Sequence, residues 1–351
     1  MDALRVLRAD RVDERAAWID LWSQSPAQEV FTHPAYLEIF RQRSDHDCCC
    51  ATMSSDAGTV LYPFYLRHLQ SEYGLGLPCS EAKDIATPYG YGGPYAWGQA
   101  DPKELAKAFW GAFDNWTMQE NVVSEFIRFS LFEDELLPYP GEVESPLMNV
   151  VRSLDLTEEE LWGEVRHKVR KNVKRGRNAG IEVIIDGNGN RLGDFLSIYH
   201  RTMDRRCADA SFYYDTNFFE SFCDALAGRY CFVHAMSGDL VVASELVLVS
   251  PRNVYSFLGG TDPAHFSNRP NDLLKFEVML WAKSEGKHNF VLGGGKAADD
   301  GIYKYKESFA PNGVRPFRVG KRILNSVDYG RLAAARSKSV DLAYFPAYRA
   351  A

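Results

Sequence analysis

The densest run of chemically able side chains is LGGGKAADDGIYKYKESFAP, Leu292 to Pro311. Gly293, Gly294 and Gly295 close an apolar, strand-like run, where missing side chains let a ligand or a neighbouring chain approach the backbone. Lys304 and Lys306 follow on a short helical stretch beside Tyr303 and Tyr305, and an ammonium so placed can neutralise a phosphate or a developing oxyanion. A tight turn followed by solvated lysines explains the same letters. A phosphate-binding P-loop does not: it needs Gly-Lys-Ser/Thr so that a hydroxyl reaches magnesium, and here Lys296 precedes alanines. The dinucleotide pattern G-x-G-x-x-G follows none of the strand-like runs, and GYGGP (Gly90 to Pro94) does not supply it.

The strongest charge feature is RHKVRKNVKRGRN, Arg166 to Asn178, with seven Lys/Arg and His167 in a chain of net charge −7. It is a local positive field suited to phosphate groups. Arg166, Arg170 and Lys174 stand at i, i+4 steps on one helix face, where they repel and invite a counter-anion. A solvated helix is the plainer alternative. Metal and nucleophile chemistry find little support. The ligand types of DHDCCC (Asp45 to Cys50) alternate faces along a strand and cannot converge on one ion. H-E-x-x-H, C-x-x-C and G-x-S-x-G are all absent. His200 and His234 lie in apolar surroundings and read as core groups.

The elements that must position these residues are clearest in the second half. NVVRSLDL reads as a strand, and Thr157 ahead of three glutamates starts a helix that runs to Gly180. IEVIID is a strand, LGDFLSIYHRTMDRR and DTNFFESFCDALAG are helices, and YCFVHAMSG, LVVASELVLVS and NVYSFLGGTD are three successive strands. PNDLLKFEVMLWAKSEG is a helix capped by Asn271 and stopped by Gly286. A buried strand, the short Tyr-Lys helix and the strand VRPFRVG complete an α/β layer, an α+β mixed sheet with an antiparallel meander and one crossover. The first half shows a weaker version of this plan. Its helices are DERAAWIDLWSQ, HPAYLEIFRQR and DPKELAKAFWGAFDNWTMQEN, and its strands CCCATM, VLYPFYLRHL and EFIRFSLF. An acidic, proline-punctuated stretch at Glu133 to Pro146 divides domains 1–147 and 148–351, with packing of the final helical segment back on the first domain left open.

At 351 residues the chain is long enough for two domains. Its net charge excludes a protein that coats polyanions all over. Seven cysteines, an odd number with three adjacent, argue against a disulfide framework. No apolar run approaches the roughly 20 residues that span a bilayer, and the charged N-terminal stretch lacks a signal-peptide core. The expectation is a cytoplasmic protein without stable membrane insertion.

Four segments occur in the order found in FemA/FemB/FemX-like transferases of the GNAT acyltransferase superfamily: HKVRKNVKRGRNAGIEV, VASELVLVSPRNVYSFLGGTD, RPNDLLKFEVMLWAKSEGKHNFVLGGG and DDGIYKYKESFAP. The chain resembles that group over about residues 150–330, and DIATPYGYGGP (Asp84 to Pro94) is similar to its N-terminal element. The resemblance implies two tandem GNAT-like domains with a cleft between them. It implies amide formation by transfer from aminoacyl-tRNA to an amine of a phosphate-bearing peptidoglycan, cell-surface, polysaccharide or natural-product precursor, small or lipid-linked. Lys306 maps onto the lysine associated with the substrate's phosphates or the reaction centre, Arg170 or Lys174 onto a phosphate contact, and Tyr255 and Tyr303 onto the cleft lining. Ordinary GNAT enzymes bind coenzyme A with a glycine-containing loop that opens a helix. FSNRPNDLL stands in that place here, so its amides do not wrap a pyrophosphate in the usual way. A tRNA-borne donor is favoured, with acyl-CoA as the alternative co-substrate and no bound cofactor or metal. A non-catalytic binding protein on the same scaffold is the rival from another class.

Overall fold

The structure, a computed structural model, describes residues 3–350 apart from 42, 71–80, 99–100, 296, 298–299 and 337–343. Lys296 and Asp299 of the glycine–lysine run therefore lie outside the described residues. The chain forms two compact units, Met1–Pro146 with Phe317–Ala351, and Leu147–Pro316.

The first unit begins with β1 (Arg5–Arg8), α1 (Val12–Gln24), α2 (Pro34–Ile39), β2 (Asp47–Ser55), β3 (Gly58–His68), β4 (Lys83–Ala86), β5 (Tyr95–Trp97), α3 (Pro102–Gln119) and β6 (Val122–Arg128). β2 and β3 form a long hairpin from Asp47↔Leu66 to Ser55↔Gly58. Asp101 caps α3 by accepting from the Lys103 amide at 2.8 Å, and Pro102 occupies the first helical position. Leu105, Phe109 and Phe113 recur at helical spacing and bury one face against Tyr62 and Phe64 of β3.

The second unit contains β7 (Glu142–Ser153), α4 (Glu158–Glu164), α5 (His167–Asn178), β8 (Ile181–Asp186), α6 (Leu192–Arg206), α7 (Thr216–Ala225), β9 (Tyr230–Ser237), β10 (Leu240–Val249), β11 (Asn253–Thr261), α8 (Pro270–Ser284), β12 (Asn289–Gly294) and α9 (Gly301–Glu307). Then come β13 (Val314–Ile323) and α10 (Ser326–Arg336).

Strand order shows that the two units are alike. The first runs β1-β2-β3-β4-β6-β13 and the second β8-β9-β10-β11-β12-β7. In each, an antiparallel series is broken by one parallel pair, β4/β6 in the first and β11/β12 in the second. A helix lies between the paired strands in the chain, α3 in one case and α8 in the other. The protein is thus two tandem GNAT-like α/β domains, each with its own core.

Three details differ from the sequence reading. The helix expected from Thr157 to Gly180 is two helices, because Val165 and Arg166 are extended (ψ 143° and 147°). The Arg166 amide there donates to the Ser308 carbonyl at 2.9 Å instead of continuing the helical ladder. Asn271 does not cap α8. Arg269, in a left-handed conformation (φ 59°), precedes Pro270 at the helix start. Lastly, the second unit ends at Pro316. Beyond it the chain pairs Val319–Ile323 with Ser124–Arg128 of β6, which carries it back into the first unit.

The first unit is stitched together by Asp84, which is fully buried on β4. Its carboxylate accepts from Arg67 (2.7 and 2.9 Å), Arg349 (2.6 and 3.0 Å) and the Tyr348 hydroxyl (3.0 Å). Burial pushes this carboxyl up, but the two guanidiniums outweigh it and hold it below the usual carboxylate range. Removing one partner of a buried ionic group leaves uncompensated charge behind. Asp84→Ala is expected to destabilise the chain by roughly 3–5 kcal/mol, read as a lower urea midpoint with the m-value retained.

Candidate active site

The site is built where two parallel strands part. β11 and β12 pair only at Asn253↔Asn289, Val254↔Phe290 and Tyr255↔Val291. Beyond that point β11 stays on β10 as far as Thr261, while β12 stays on β7 as far as Gly294. Ser256–Thr261 and Gly293–Gly295 are half-buried, in contrast to the buried Val254, Tyr255 and Phe290–Leu292. Separated strands leave backbone donors and acceptors that a ladder would otherwise consume, so this is where a ligand's polar groups can be met.

The glycines fit that geometry. Gly293 has φ +82°, and the pairing of β12 with β7 shifts register between Val291 and Gly293. A Cβ on Gly295 would lie 2.5 Å from the Asp300 carboxylate. Asp300 needs that place because its side chain caps α9, accepting from the Tyr303 amide at 2.6 Å.

α9 aims Lys306 back at the strand end. Its ammonium donates to the Gly294 carbonyl at 2.7 Å. Burial, reinforced by the charge of Lys275, lowers this lysine from 10.5 to about 8, against the opposing pull of Glu245 and Asp300. A cation poised near neutral pH can donate hydrogen bonds to an anion and can also exchange a proton.

Two buried groups complete the cluster. Lys275 of α8 donates to the Glu245 carboxylate on β10 and, at 2.6 Å, to the Ser256 hydroxyl on β11. The second oxygen of Glu245 is buried without a hydrogen-bond partner among the described residues. Lys275 is thereby held by a carboxylate bound on one side only, and both groups act electrostatically on Lys306. Nearby, Asn271 donates to the Tyr305 hydroxyl at 2.7 Å, which joins α8 to α9. Sequence reasoning missed Lys275 and Glu245. The available signal was a charged residue inside an otherwise apolar run, in VASELVLV and in LLKFEVML, since such charges are buried only when paired.

The other expected residues fall into different settings. Lys304 is exposed, Tyr303 is half-buried against the core of this unit, and Tyr255 is buried in β11. Arg170 donates to the carbonyls of Trp162 (3.3 Å), Gly163 (2.7 Å) and Val165, and so closes the C-terminus of α4. Lys174 is exposed, with its ammonium 5.9 Å from the Trp162 ring centre. Arg166 and Arg177 pair with Glu307 and Glu277, and Lys168, Lys171 and Arg175 are exposed on α5 together with Lys174. The expected core histidines are bonded inside the fold, His234 to Ser244 at 2.9 Å and His200 to the Tyr214 carbonyl at 2.8 Å.

Residues 163–307 match the family model described as the acetyltransferase (GNAT) domain. This segment is similar to that domain. It contains Lys275, Glu245 and Lys306, and all four resembling motifs begin within it. The crystal structure of FemX is similar in fold, with a TM-score of 0.68 at 12% identity, covering 90% of this chain and 97% of that one. L-PGS from Bacillus licheniformis is similar with a TM-score of 0.53 at 14% identity (93% and 96% covered). So is the C-terminal domain of a putative lysylphosphatidylglycerol synthetase from Agrobacterium fabrum, with a TM-score of 0.53 at 11% identity (92% and 96% covered). Comparison with curated protein sequences gives no match. Among the described residues, no helix is long and apolar enough to cross a membrane, and no group of His, Cys, Asp and Glu is placed to hold a metal ion.

The lowered Lys306 pKa has a consequence for stability. Because it is about 8 folded against 10.5 unfolded, the folded chain holds fewer protons between those values, and stability gains from this group as pH rises through that window. Below about 8 the burial cost is undiminished. Lys306→Met is therefore expected to melt at a higher temperature than the parent at pH 7, with the difference shrinking towards pH 10.5. Equal melting temperatures at pH 7 would show that the ammonium is not desolvated.

Proposed function

We propose that the chain forms an amide by moving an aminoacyl group from aminoacyl-tRNA to an amine of a phosphate-bearing acceptor used in cell-wall, cell-surface or natural-product assembly. The observation that carries this reading is the Lys306 ammonium held at the parting of β11 and β12. The acceptor amine attacks the ester carbonyl, and the carbonyl oxygen becomes an oxyanion that Lys306 stabilises by charge and hydrogen bonding. When the C–O bond breaks, the ribose oxygen takes a proton from Lys306. In balance, an ammonium and an ester become an amide and an alcohol, and one proton leaves to solvent. Lys275 and Glu245 act as positioning residues that set the proton affinity of Lys306.

The choice of donor rests on two features. The first turn of α8, where an acyl-CoA pyrophosphate would sit, has Pro270 without an amide hydrogen and a buried acid, Asp272. Burial raises the Asp272 carboxyl, and its partner there is Asn172 at 3.0 Å. Such a helix start disfavours a diphosphate. By contrast, the exposed face of α5 offers several cations to a polyanion such as tRNA. FemX and a putative lysylphosphatidylglycerol synthetase share the fold, and the second name describes attachment of an amino acid to a phospholipid.

The test is transfer from a mixture of labelled aminoacyl-tRNAs, compared with acetyl-CoA, to a panel of amine acceptors. Label passing from tRNA supports the reading, and transfer from acetyl-CoA alone overturns it. Lys306→Ala should lower turnover by about 100-fold or more with the fold retained. An unchanged rate would remove Lys306 from the mechanism.

Turnover should also fall as pH rises through about 8, because Lys306 loses its charge there. Lys275→Met removes the cation that depresses Lys306, so this falling limb should move to higher pH in a profile of kcat. A limb that stays in place would show that Lys275 does not act through Lys306.

A further inference from the structure

The Asp84 cluster of the first unit has a neighbour, Arg128, that the transfer reading does not use. Alternation along β6 puts Ser124, Phe126 and Arg128 on one face of the sheet. β4 runs parallel alongside, with Asp84 opposite Ser124 and Ala86 opposite Phe126. Arg67 lies across from Asp84 on β3. The other deep arginines of this unit each have a carboxylate: Arg67 and Arg349 share Asp84, and Arg322 meets Asp114 at 2.5 Å. Arg128 has none among the described residues. Its guanidinium donates to the Thr87 carbonyl at a long 3.3 Å and lies 5.0 Å from the Phe126 ring centre.

Among the described residues no carboxylate pairs with Arg128. The charge that acts on Arg128 most is Arg67, followed by the phenols of Tyr344, Tyr89 and Tyr36. Asp84 is already saturated by two guanidiniums and Tyr348. Arg128 therefore adds a guanidinium beside Arg67 with no carboxylate of its own among the described residues. Burial, with Arg67 adding to it, lowers the Arg128 pKa, so the fold bears a cost to keep this cation in place. An arginine fork left with free donors in such a place matches an oxyanion in charge and shape.

Two of the phenols that act on it belong to exposed tyrosines. Tyr89 and Tyr344 are 57% and 53% exposed. Tyr89 is held by the Tyr36 hydroxyl, which donates to its carbonyl at 2.8 Å. The next residue, Gly90, has φ +102°, and a Cβ there would lie 2.4 Å from the Phe31 ring. The DIATPYGYGGP segment is thus shaped so that Thr87 and Tyr89 stand beside Arg128.

We propose that the first unit carries an oxyanion-binding subsite centred on the Arg128 guanidinium and flanked by Tyr89 and Tyr344, which takes a phosphoryl or carboxylate group of a small molecule. This assignment goes beyond the transfer reading and does not depend on it, because it concerns binding in the absence of turnover. The fork supplies the charge-assisted bonds, and the two rings offer faces to whatever organic portion the anion bears.

Calorimetry on the full chain with inorganic pyrophosphate, and separately with succinate, distinguishes the two oxyanion sources. At least one should bind. Arg128→Met should weaken that binding about tenfold or more, the loss expected for hydrogen bonds to a charged group. Lys168→Ala/Lys171→Ala/Arg175→Ala on α5 should leave it unchanged. Melting curves give an independent readout. In anion-free buffer Arg128→Met should melt at or above the parent temperature, because an uncompensated charge is gone. The bound anion should raise the melting temperature of the parent but not of the variant. The proposal is overturned if neither anion binds, if Arg128→Met binds as the parent does, or if Arg128→Met melts lower without anion.

Discussion

The separation of β11 from β12 after three residue pairs governs the rest of the second unit. A parallel pair continued to the strand ends would bury Ser256 and the triple glycine inside a ladder and leave no place for chemistry. Each strand is held instead by its outer neighbour, β10 or β7, so the two can part without losing their sheet. The bulge at Val291/Gly293 and the positive φ of Gly293 give β12 its separate course. α9 then folds over the opening because Asp300 caps it and Gly295 leaves that carboxylate room. The position of Lys306 follows from these constraints.

The first unit repeats the topology but handles the same place differently. Past β4, Thr87 donates to the Phe126 carbonyl at 3.1 Å and Gly92 to the Arg128 carbonyl at 2.8 Å. The Thr87 hydroxyl accepts from the Arg128 amide at 2.8 Å. The glycine-rich segment thus keeps β6 occupied where β12 is released from β11. One plan used twice has produced one open strand pair and one sealed pair. The charges follow suit: the sealed unit concentrates arginines about Asp84, and the open unit concentrates lysines about Glu245. The difference suits function, because a lysine changes protonation near neutral pH when buried and an arginine does not.

Much of this was legible in the sequence wherever local chemistry decides structure. The Thr157 start is a true capping box with Glu160, and the alternation and helical spacing of the second half yield its elements in the observed order. The lysine run was legible too, down to the short helix that bears Lys306. What escaped depends on contacts between distant segments. The break at Val165 is stabilised by Ser308 and by the Arg170 side chain, neither of which local propensity reveals. Asn271 has the composition of a cap, but its side chain is drawn to Tyr305, 34 residues away. Lys275 and Glu245 sit in runs that read as plain core, and only their meeting across α8 and β10 turns two costly buried charges into a working pair. Arg170 marks the opposite limit: its spacing suggests an anion contact, and its guanidinium is engaged by backbone carbonyls.

The character of the buried groups also bears on how amide formation could proceed. A covalent route needs a thiolate or an activated hydroxyl within reach of the acyl carbon. Burial pushes the Cys48 thiol up to about 12 and raises Cys231 as well, so these stay protonated inside their cores. The Ser256 hydroxyl receives a hydrogen bond from a lysine ammonium, an arrangement that stabilises an oxygen lone pair instead of freeing it for attack. The titrating group nearest the strand opening is Lys306, whose proton is loosened to about 8. In the transfer proposed above, a desolvated cation at this place would lower the barrier by holding charge on the reacting oxygen and returning a proton to the departing one. The attack itself is then left to the acceptor amine, and rate depends on how closely the two substrates are brought together.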